Sequence, residues 1–308
     1  MNSKLKNSNL IYRKLQISDY REFKKLFFLC FNKKISFNFF KWRYFNNKFS
    51  FCYGIFEASK LIANVGMISM KLNNKTYEKI FSRHSSMVLK KYRGNRVFSD
   101  LLKKVKSKIL KKVRLVAMWP NKNNLSNFGI NNKKIIKKKF YLYKTSLTST
   151  SAILKKTENY HIDELIKFKS FIKNNNSFFY KNFIYFKNRY LLYKKNDYLI
   201  NQFKFKKFTS FFILKCNKDK SGLNYVILDH FGSEKIKSRH LSYLSCNQNK
   251  LIFLSKKKIN KPTVKLLDYL YFKIGFIKQF NLKYKKRMLT NKEIFLGDTD
   301  IFLTIGKN

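Results

Sequence analysis

The sequence has 308 residues, 44% of them hydrophobic and 18% aromatic, which excludes a disordered chain and provides enough apolar surface for two domain cores. The formal net charge is +52, but only ten of the 68 basic residues are Arg, so the charge indicates a Lys-rich composition and leaves a nucleic-acid partner as an open alternative. No apolar stretch approaches the roughly 18 residues of a membrane helix, and no signal peptide is visible. The four Cys are too widely spaced for a metal site. We therefore expect a cytoplasmic protein without a membrane span.

The first half of the chain has the pattern of a helical start followed by a sheet. Apolar residues at helical spacing predict a helix within residues 11–31, with Ser18 and Asp19 as its cap. Alternating apolar residues further along predict an antiparallel meander of three strands. The predicted elements after the first helix are a helix at residues 37–44, strands at 51–58, 61–72 and 79–89, a polar loop at 90–96, a helix at 97–112, and strands at 113–119 and 139–147.

The order of elements begins again after residues 146–151 (SLTSTS), a low-complexity junction at which we place a domain boundary. Arg43-Tyr44 before the first meander corresponds to Arg189-Tyr190 before the second, which indicates a tandem repeat. The predicted architecture is α+β, with domains at residues 1–150 and 151–308 that each contain a largely antiparallel central sheet flanked by helices. The second domain is predicted to have a helix at residues 161–172, an aromatic segment at 178–193 and strands at 198–202, 209–216 and 225–231.

Residues 87–102 (MVLKKYRGNRVFSDLL) predict a strand that passes through a tight polar loop into a helix. The first amides of a helix have no partner within the helix, and the helix dipole makes that end positive. Arg93 and Arg96 add two positive charges to the same loop. Such a loop suits a pyrophosphate group, although a plain strand-to-helix connection has the same pattern.

This loop resembles motif A of the Gcn5-related N-acetyltransferases (GNAT), R/Q-x-x-G-x-G/A, whose amides hold the pyrophosphate of coenzyme A. The best register begins at Arg93, and it departs from the motif where Arg96 replaces the central glycine and Phe98 replaces the final small residue. The resemblance implies two tandem acetyltransferase-like domains and acetyl-CoA as the cosubstrate. The residues it implies for coenzyme binding are Met87, Val88, Leu89, Arg93, Gly94, Asn95, Arg96, Val97, Phe98 and Asn121.

Residues 41–47 (KWRYFNN) and 297–300 (GDTD) resemble a two-domain branch of the family that is associated with surface-polysaccharide synthesis. Residues 118–126 (MWPNKNNLS) resemble the family's P-N-x-x-S turn, where coenzyme A enters. In the second half, the loop DHFGSEKIKSRH lacks the R-x-x-G pattern, so we expect a degenerate domain without a second coenzyme site. That domain would help to form the acceptor cleft, where Asp298 and Asp300 are candidates for contact with the acceptor.

The resemblance also implies catalytic positions. His84 lies near the position of the family's general base, which is usually a Glu on the strand before motif A, although a structural histidine has the same appearance in sequence. The oxyanion donor of the family is a backbone amide on this strand, here within residues 87–89. The family's usual acid, a Tyr after the P-N turn, has no counterpart near Gly129 and Ile130.

The sequence therefore predicts an acyltransferase that moves an acetyl group from acetyl-CoA to a small-molecule amine, with an amino sugar as one candidate acceptor. Two alternatives stay open at this point. One is a non-catalytic protein of the same fold that binds a polyanion such as RNA, and the other is a tRNA-dependent aminoacyl transferase.

Overall fold

The computed structural model describes residues 10–46, 50–73, 79–108, 115–118, 135–145, 157–173, 179–191, 198–219, 222–247, 251–255 and 264–276. These residues form two compact units, each built around its own sheet. None of the helices in these ranges is long and apolar enough to cross a membrane.

The first unit is a mixed sheet covered by helices. Neighbouring strands pair in the order β1-β2-β3-β4-β5, antiparallel throughout except for the parallel pair β4 and β5. The elements are β1 (Leu10–Lys14), α1 (Tyr20–Phe31), α2 (Phe37–Tyr44), β2 (Phe51–Glu57), β3 (Lys60–Lys71), β4 (Lys79–Val88), α3 (Val97–Lys108) and β5 (Leu115–Met118), with 3₁₀ turns at Ile17–Asp19 and Lys90–Tyr92.

Burial in the core of the first unit explains why the three strands of the meander have such a clear apolar pattern in the sequence. β2 is buried along nearly its whole length, as is β3 from Leu61 to Met67, because helices cover the sheet. Phe23 and Leu26 of α1 and Phe40 of α2 are buried in this core, and the rings of Phe23 and Phe40 lie 4.7 Å apart. The meander and the α2 helix are confirmed as predicted.

The start of the chain differs from the prediction. The helix predicted after Ser18 and Asp19 begins at Tyr20, whereas Leu10–Lys14, for which no strand was predicted, forms β1, an edge strand paired with β2. Asp19 separates the two elements: its carboxylate accepts hydrogen bonds from the Arg13 guanidinium at 2.6 and 2.7 Å and from the Gln16 amide at 2.7 Å. Asp19 occupies the predicted N-cap position, but its side chain makes no capping hydrogen bond to α1, and the strand before it was not predicted.

The second unit repeats this arrangement. Its strands pair in the order β6-β11-β10-β9-β8-β7, and β10 and β11 form the parallel pair. The elements are β6 (Ile135–Thr145), β7 (Thr157–His161), a 3₁₀ helix (Ile162–Lys173), α4 (Phe183–Phe186) with a π-helical turn (Lys187–Leu191), β8 (Tyr198–Phe205), β9 (Phe208–Asp219), β10 (Gly222–Gly232), a 3₁₀ turn (Glu234–Ile236), α5 (Lys237–Asn247), β11 (Leu251–Ser255) and β12 (Val264–Phe276).

The two units share one order of elements, which confirms the predicted α+β class with a largely antiparallel sheet flanked by helices in each half. β1 to β5 of the first unit correspond to β7 to β11 of the second. The units are discontinuous in sequence, because β6 pairs with β11 of the second unit, whereas the end of β12 pairs antiparallel with β5 of the first. A single boundary near residue 150 stays a prediction for the organisation of the chain.

A buried polar network crosses the sheet of the second unit. The Ser210 hydroxyl lies 2.9 Å from Nε2 of His230 and 2.9 Å from Nδ1 of His240. Nε2 of His240 lies 2.6 Å from Oδ1 of Asn201, and Nδ1 of His230 lies 3.2 Å from the Glu234 carboxylate. Burial, followed by repulsion from His230, lowers the pKa of His240 to about 3, and burial also lowers the pKa of His230.

This network predicts that the second unit loses stability in mild acid. A histidine whose pKa is lower in the folded state than in the unfolded state binds its proton preferentially after unfolding, so stability falls as the pH drops below about 6.5. For His240 alone we expect a loss of roughly 2 kcal/mol in the free energy of unfolding between about pH 7 and pH 5. Urea denaturation at both pH values measures this loss. The exposed His161 provides the control: His161→Gln should keep the pH dependence, and an unchanged midpoint in the unmodified protein would contradict the prediction.

Candidate coenzyme and acyl-transfer site

The predicted phosphate loop connects β4 to α3. After Leu89 the chain makes the 3₁₀ turn Lys90–Tyr92, and residues 93–96 then lead into α3 at Val97. Tyr92 anchors the turn, since its ring is buried and its hydroxyl donates a hydrogen bond to the Glu57 carboxylate. Residues 93–96 themselves are exposed, so the loop presents its backbone and its two arginines to solvent.

Two residues of the loop have left-handed backbone conformations. Gly94 has a φ of 85°, and a Cβ atom at that position would meet nothing within 4 Å. Arg96 has a φ of 57°, a conformation that glycine adopts without strain and that costs other residues about 1 kcal/mol. Arg96 therefore follows the backbone course that suits the glycine of the motif, and its departure from the motif lies in its side chain.

The N-terminus of α3 supplies hydrogen-bond donors beside this loop. The first helical bond runs from the Asp100 amide to the Arg96 carbonyl at 2.9 Å, so the amides of Val97, Phe98 and Ser99 precede the helical ladder. The side chain of Val97 is buried and that of Phe98 is half-buried, which fixes the start of the helix against the core. Amides and dipole together make this end of a twelve-residue helix suitable for an anion.

At the end of β4, one backbone amide faces away from the meander. The Leu89 amide donates to the Ile62 carbonyl at 2.9 Å, so Leu89 and Ile62 form a hydrogen-bonded pair. The alternation of an antiparallel pair then makes Val88 and Ala63 a non-hydrogen-bonded pair, with the N–H and C=O groups of Val88 facing away from β3. Of the three residues predicted to carry the oxyanion donor, Val88 is therefore the one whose amide faces the β5 side of β4.

The Val88 carbonyl ties this strand end to the loop and to α1. Arg93 donates from Nε to that carbonyl at 3.0 Å, and the Cys30 thiol lies 3.5 Å from it. Burial raises the pKa of the Cys30 thiol, and the nearby Arg93 guanidinium opposes this effect. Arg93 thus helps to fix the loop while its charge stays at the surface.

A bulge interrupts β4 just before this end. Ser85 and Ser86 together lie opposite Val65 of β3, and Ser85 has a left-handed φ of 45°. Two side chains hold the bulge: Asn64 donates from Nδ2 to the Ser85 carbonyl at 3.1 Å, and the Tyr44 hydroxyl forms a hydrogen bond with the Ser85 hydroxyl. The Arg43-Tyr44 pair of the sequence therefore contributes directly to the conformation of the predicted reactive strand.

His84 precedes the bulge and is buried, with 8% of its surface exposed. Its Nδ1 atom lies 3.1 Å from an Nη atom of Arg43, which is itself 4% exposed. Side chains alternate between the two faces of β4, so the neighbouring Arg83 lies on the opposite face from His84. Its guanidinium lies over the ring of Phe98, and burial lowers the pKa of Arg83 to about 10. The sequence pointed to His84 but not to its contact with Arg43.

Several predicted site residues lie outside the described residues. Asn121 and the P-N turn follow the described end of β5 at Met118, and Asp298 and Asp300 belong to the C-terminal part of the chain beyond Phe276. Met87 to Phe98 are all described, and the structure brings them together at the end of β4, in the loop and at the start of α3.

The second unit contains the equivalent helix, strand and bulge but no equivalent loop. The Tyr190 hydroxyl donates to the Asp229 carboxylate next to a register shift in β10, as Tyr44 bonds to Ser85 beside the bulge in β4. The 3₁₀ turn Glu234–Ile236 then leads directly into α5 at Lys237. The four residues that precede α3 in the first unit have no counterpart there.

Comparison with known proteins relates part of the chain to a known domain. Residues 11–130 match the family model described as an acetyltransferase (GNAT) domain. No protein of curated function matches the sequence.

Solved structures resemble the chain over most of its length. A GCN5-related N-acetyltransferase from Anabaena variabilis ATCC 29413 is similar with a TM-score of 0.66 and 10% identity, covering 88% of this chain and 73% of that one. A conserved protein of unknown function from Enterococcus faecalis V583, described as a probable N-acyltransferase, is similar with a TM-score of 0.61 and 13% identity at the same coverages. A GCN5-related N-acetyltransferase from Kribbella flavida has a TM-score of 0.55 and 10% identity, covering 86% and 70%. The chain thus has the fold of GNAT-type N-acetyltransferases, and its first unit contains the stretch that matches their domain model.

Proposed function

We propose that this protein transfers an acetyl group from acetyl-CoA to the amine of a small-molecule acceptor. The observation that carries the proposal is the exposed loop between β4 and α3, with left-handed Gly94 and Arg96, placed inside the stretch that matches an acetyltransferase domain. The loop suits a pyrophosphate because amides, helix dipole and basic side chains converge on one point. Lys90, Lys91 and Arg93 are exposed beside it and add positive charge.

The chemistry follows from the strand that leads into this loop. The neutral acceptor amine attacks the thioester carbonyl carbon, a C–N bond forms and the C–S bond breaks, and the thiolate of coenzyme A leaves and takes up the proton that the nitrogen loses. Negative charge develops on the carbonyl oxygen during this step, and the Val88 amide is our candidate donor to that oxygen. The Ser85 bulge, held by Asn64 and Tyr44, sets the course of β4 toward Val88.

Sequence features and free thiols support the proposed acceptor and location. The resemblance of residues 41–47 to the surface-polysaccharide branch supports an amino sugar as the first acceptor to test. The net charge of +52 would attract an anionic acceptor or coenzyme by long-range electrostatics. The described cysteines Cys30, Cys52 and Cys216 are present as thiols, which supports a cytoplasmic location.

Acceptor-dependent release of coenzyme A tests the proposed activity. The purified protein is incubated with acetyl-CoA and a panel of amino sugars, amino acids and polyamines, and the released thiol is measured alongside the mass of the acceptor. We expect thiol release with at least one amine above the acceptor-free rate, matched by one added acetyl group on that acceptor. If acetyl-CoA binds but no amine in the panel is acetylated, the non-catalytic alternative replaces the transferase.

A further inference from the structure

We infer that the second unit binds a single-stranded nucleic acid at the point where the turn between β8 and β9 meets the start of α5. The site is a basic cluster of two aromatic rings and four cationic side chains: Phe205, Phe208, Lys206, Lys207, Lys235 and Arg239. All six residues belong to the second unit, so the inference does not rest on the acetyl transfer proposed for the first.

The two rings of the basic cluster hold its cations in place. Phe205 and Phe208 are directly opposite each other in the register of β8 and β9, with the two turn lysines between them. The Arg239 guanidinium lies 4.0 Å from the centroid of the Phe205 ring, and the Lys235 ammonium lies 5.1 Å from the centroid of the Phe208 ring. The ammonium groups of the turn lysines each lie 6.0 Å from the ring that adjoins them in sequence. The positive charges of the turn and of α5 therefore converge on one small surface.

These contacts position the charges without neutralising them. All four cationic side chains are exposed, and none of them forms an ion pair with another of the described residues. The nearby Glu234 carboxylate instead contacts Lys237 at 3.4 Å and His230 at 3.2 Å. On α1, by contrast, Lys25 is paired with Glu22 three residues away. The basic cluster thus offers ordered positive charge without a compensating carboxylate, which favours an anionic partner.

The equivalent turn of the first unit has different residues at all four positions. There β2 and β3 are joined by a two-residue turn in which Ala58 has a left-handed φ of 50°, as Lys206 has a φ of 52° in the second unit. The strand pair that closes this turn is Glu57 and Lys60 instead of two phenylalanines. The cluster is therefore a particular feature of the second unit, and the lysine content of the whole chain does not account for it.

The combination of rings and cations suits a single strand better than a lipid surface. The cations can contact successive phosphates, while the unpaired bases of a single strand can stack on aromatic rings and guanidinium planes. Arg239 lies over one ring and is itself exposed, so its outer face can receive a base. Binding to a membrane favours large apolar side chains that project into the lipid, whereas Phe205 and Phe208 are half-buried with cations over them.

A pair of double variants tests the site by fluorescence anisotropy. The probe is a labelled, adenine-rich single-stranded RNA of about 12 nucleotides, titrated with the full chain. Lys235→Gln with Arg239→Gln should weaken binding about 20-fold near 0.1 M salt and reduce the salt slope of log K by about 1.4, because two phosphate contacts are lost. Arg21→Gln with Lys24→Gln removes the same charges from exposed positions of α1 and should cost less than about 2-fold. Equal losses in the two double variants would show attraction by the overall charge of +52 and would overturn the inference.

Two single variants separate stacking from charge. Arg239→Lys keeps the positive charge but has no planar group, and Phe205→Leu keeps all four charges but removes the ring beneath Arg239. We expect each to weaken RNA binding about 5-fold with an unchanged salt slope, and circular dichroism checks that both fold. Unchanged affinity in both variants would contradict the stacking of bases at the cluster.

Further probes decide the kind of partner. A duplex of the same length should bind at least about 5-fold more weakly than the single strand, because its bases are already stacked, and equal binding would overturn the inference. DNA of the same sequence shows which of the two single strands is preferred. If vesicles of phosphatidylcholine and phosphatidylserine bind the protein and lose it in the Lys235 and Arg239 double variant, while RNA binding is unaffected, the partner is a membrane instead.

Titration with acetyl-CoA separates this site from the proposed coenzyme site. The Kd of acetyl-CoA should be the same in the Lys235 and Arg239 double variant as in the unmodified protein. A large loss would place the coenzyme at the basic cluster and overturn the inference. Absence of acetyl-CoA binding by the unmodified protein would count against the proposed function alone, and the RNA titrations would still decide the nucleic-acid site.

Discussion

Replacing Gly94 with Asp is expected to weaken acetyl-CoA binding about 100-fold, which corresponds to roughly 3 kcal/mol. The left-handed φ of 85° disfavours a side chain at this position, although Asp tolerates it better than most residues. The larger effect is electrostatic, because the new carboxylate lies in the loop that is proposed to hold the pyrophosphate. Isothermal titration of acetyl-CoA into each variant measures the change.

Two controls separate charge from shape in this experiment. Gly94→Asn introduces a side chain of the same size that also tolerates a left-handed backbone, so we expect only about a 5-fold loss. Ser242→Asp adds the same charge to an exposed position of α5 in the second unit and should leave binding unchanged. If Gly94→Asp binds acetyl-CoA as tightly as the unmodified protein, the loop does not hold the pyrophosphate.

Replacing Lys181 with Met is expected to lower the free energy of unfolding of the second unit by about 3–5 kcal/mol. Lys181 is 1% exposed, and its ammonium group forms an ion pair with Asp229, which is fully buried. The Asp229 carboxylate also accepts hydrogen bonds from the hydroxyls of Tyr185, at 3.2 Å, and Tyr190. Removal of the lysine leaves a buried negative charge without its positive partner, and the energetic cost of that charge dominates the effect.

The matched variant removes both charges. Lys181→Met combined with Asp229→Asn should recover at least half of the lost stability, because Asn can still accept hydrogen bonds from the tyrosines and carries no charge to desolvate. Urea denaturation followed by circular dichroism gives both values. If the double variant is less stable than Lys181→Met alone, the loss does not arise from the buried charge.

The sequence predicted best those elements whose pattern is local. The meander of β2 to β4 is long and strongly apolar, and α2 was predicted at its observed bounds; the structure adds that the Ser36 hydroxyl accepts a hydrogen bond from the Phe39 amide. β1 was missed because five residues next to a helical pattern have no period of their own. The pairing of β6 with β11 and of β12 with β5 has no signal in the sequence, since a strand's sequence does not record which strand it joins.

The candidate site was likewise predicted where its residues are close in sequence and missed where they are distant in sequence. The loop of residues 93–96 and the start of α3 could be predicted because strand, loop and helix follow one another in the chain. The contacts of Tyr44 with Ser85 and of Arg43 with His84 join residues 41 positions apart, so no local pattern indicates them. The Arg-Tyr pair was noticed only as a sign of internal repetition, and its position beside both bulges gives that repetition a physical meaning.

Titration of the purified full chain with acetyl-CoA tests the central claim most directly. The account predicts saturable binding of one molecule per chain, because the loop before α3 has no counterpart before α5. An adenine nucleotide without a pyrophosphate serves as the control and should bind much more weakly. Absence of acetyl-CoA binding, or equal binding of the control nucleotide, would contradict the assignment of this loop to the coenzyme.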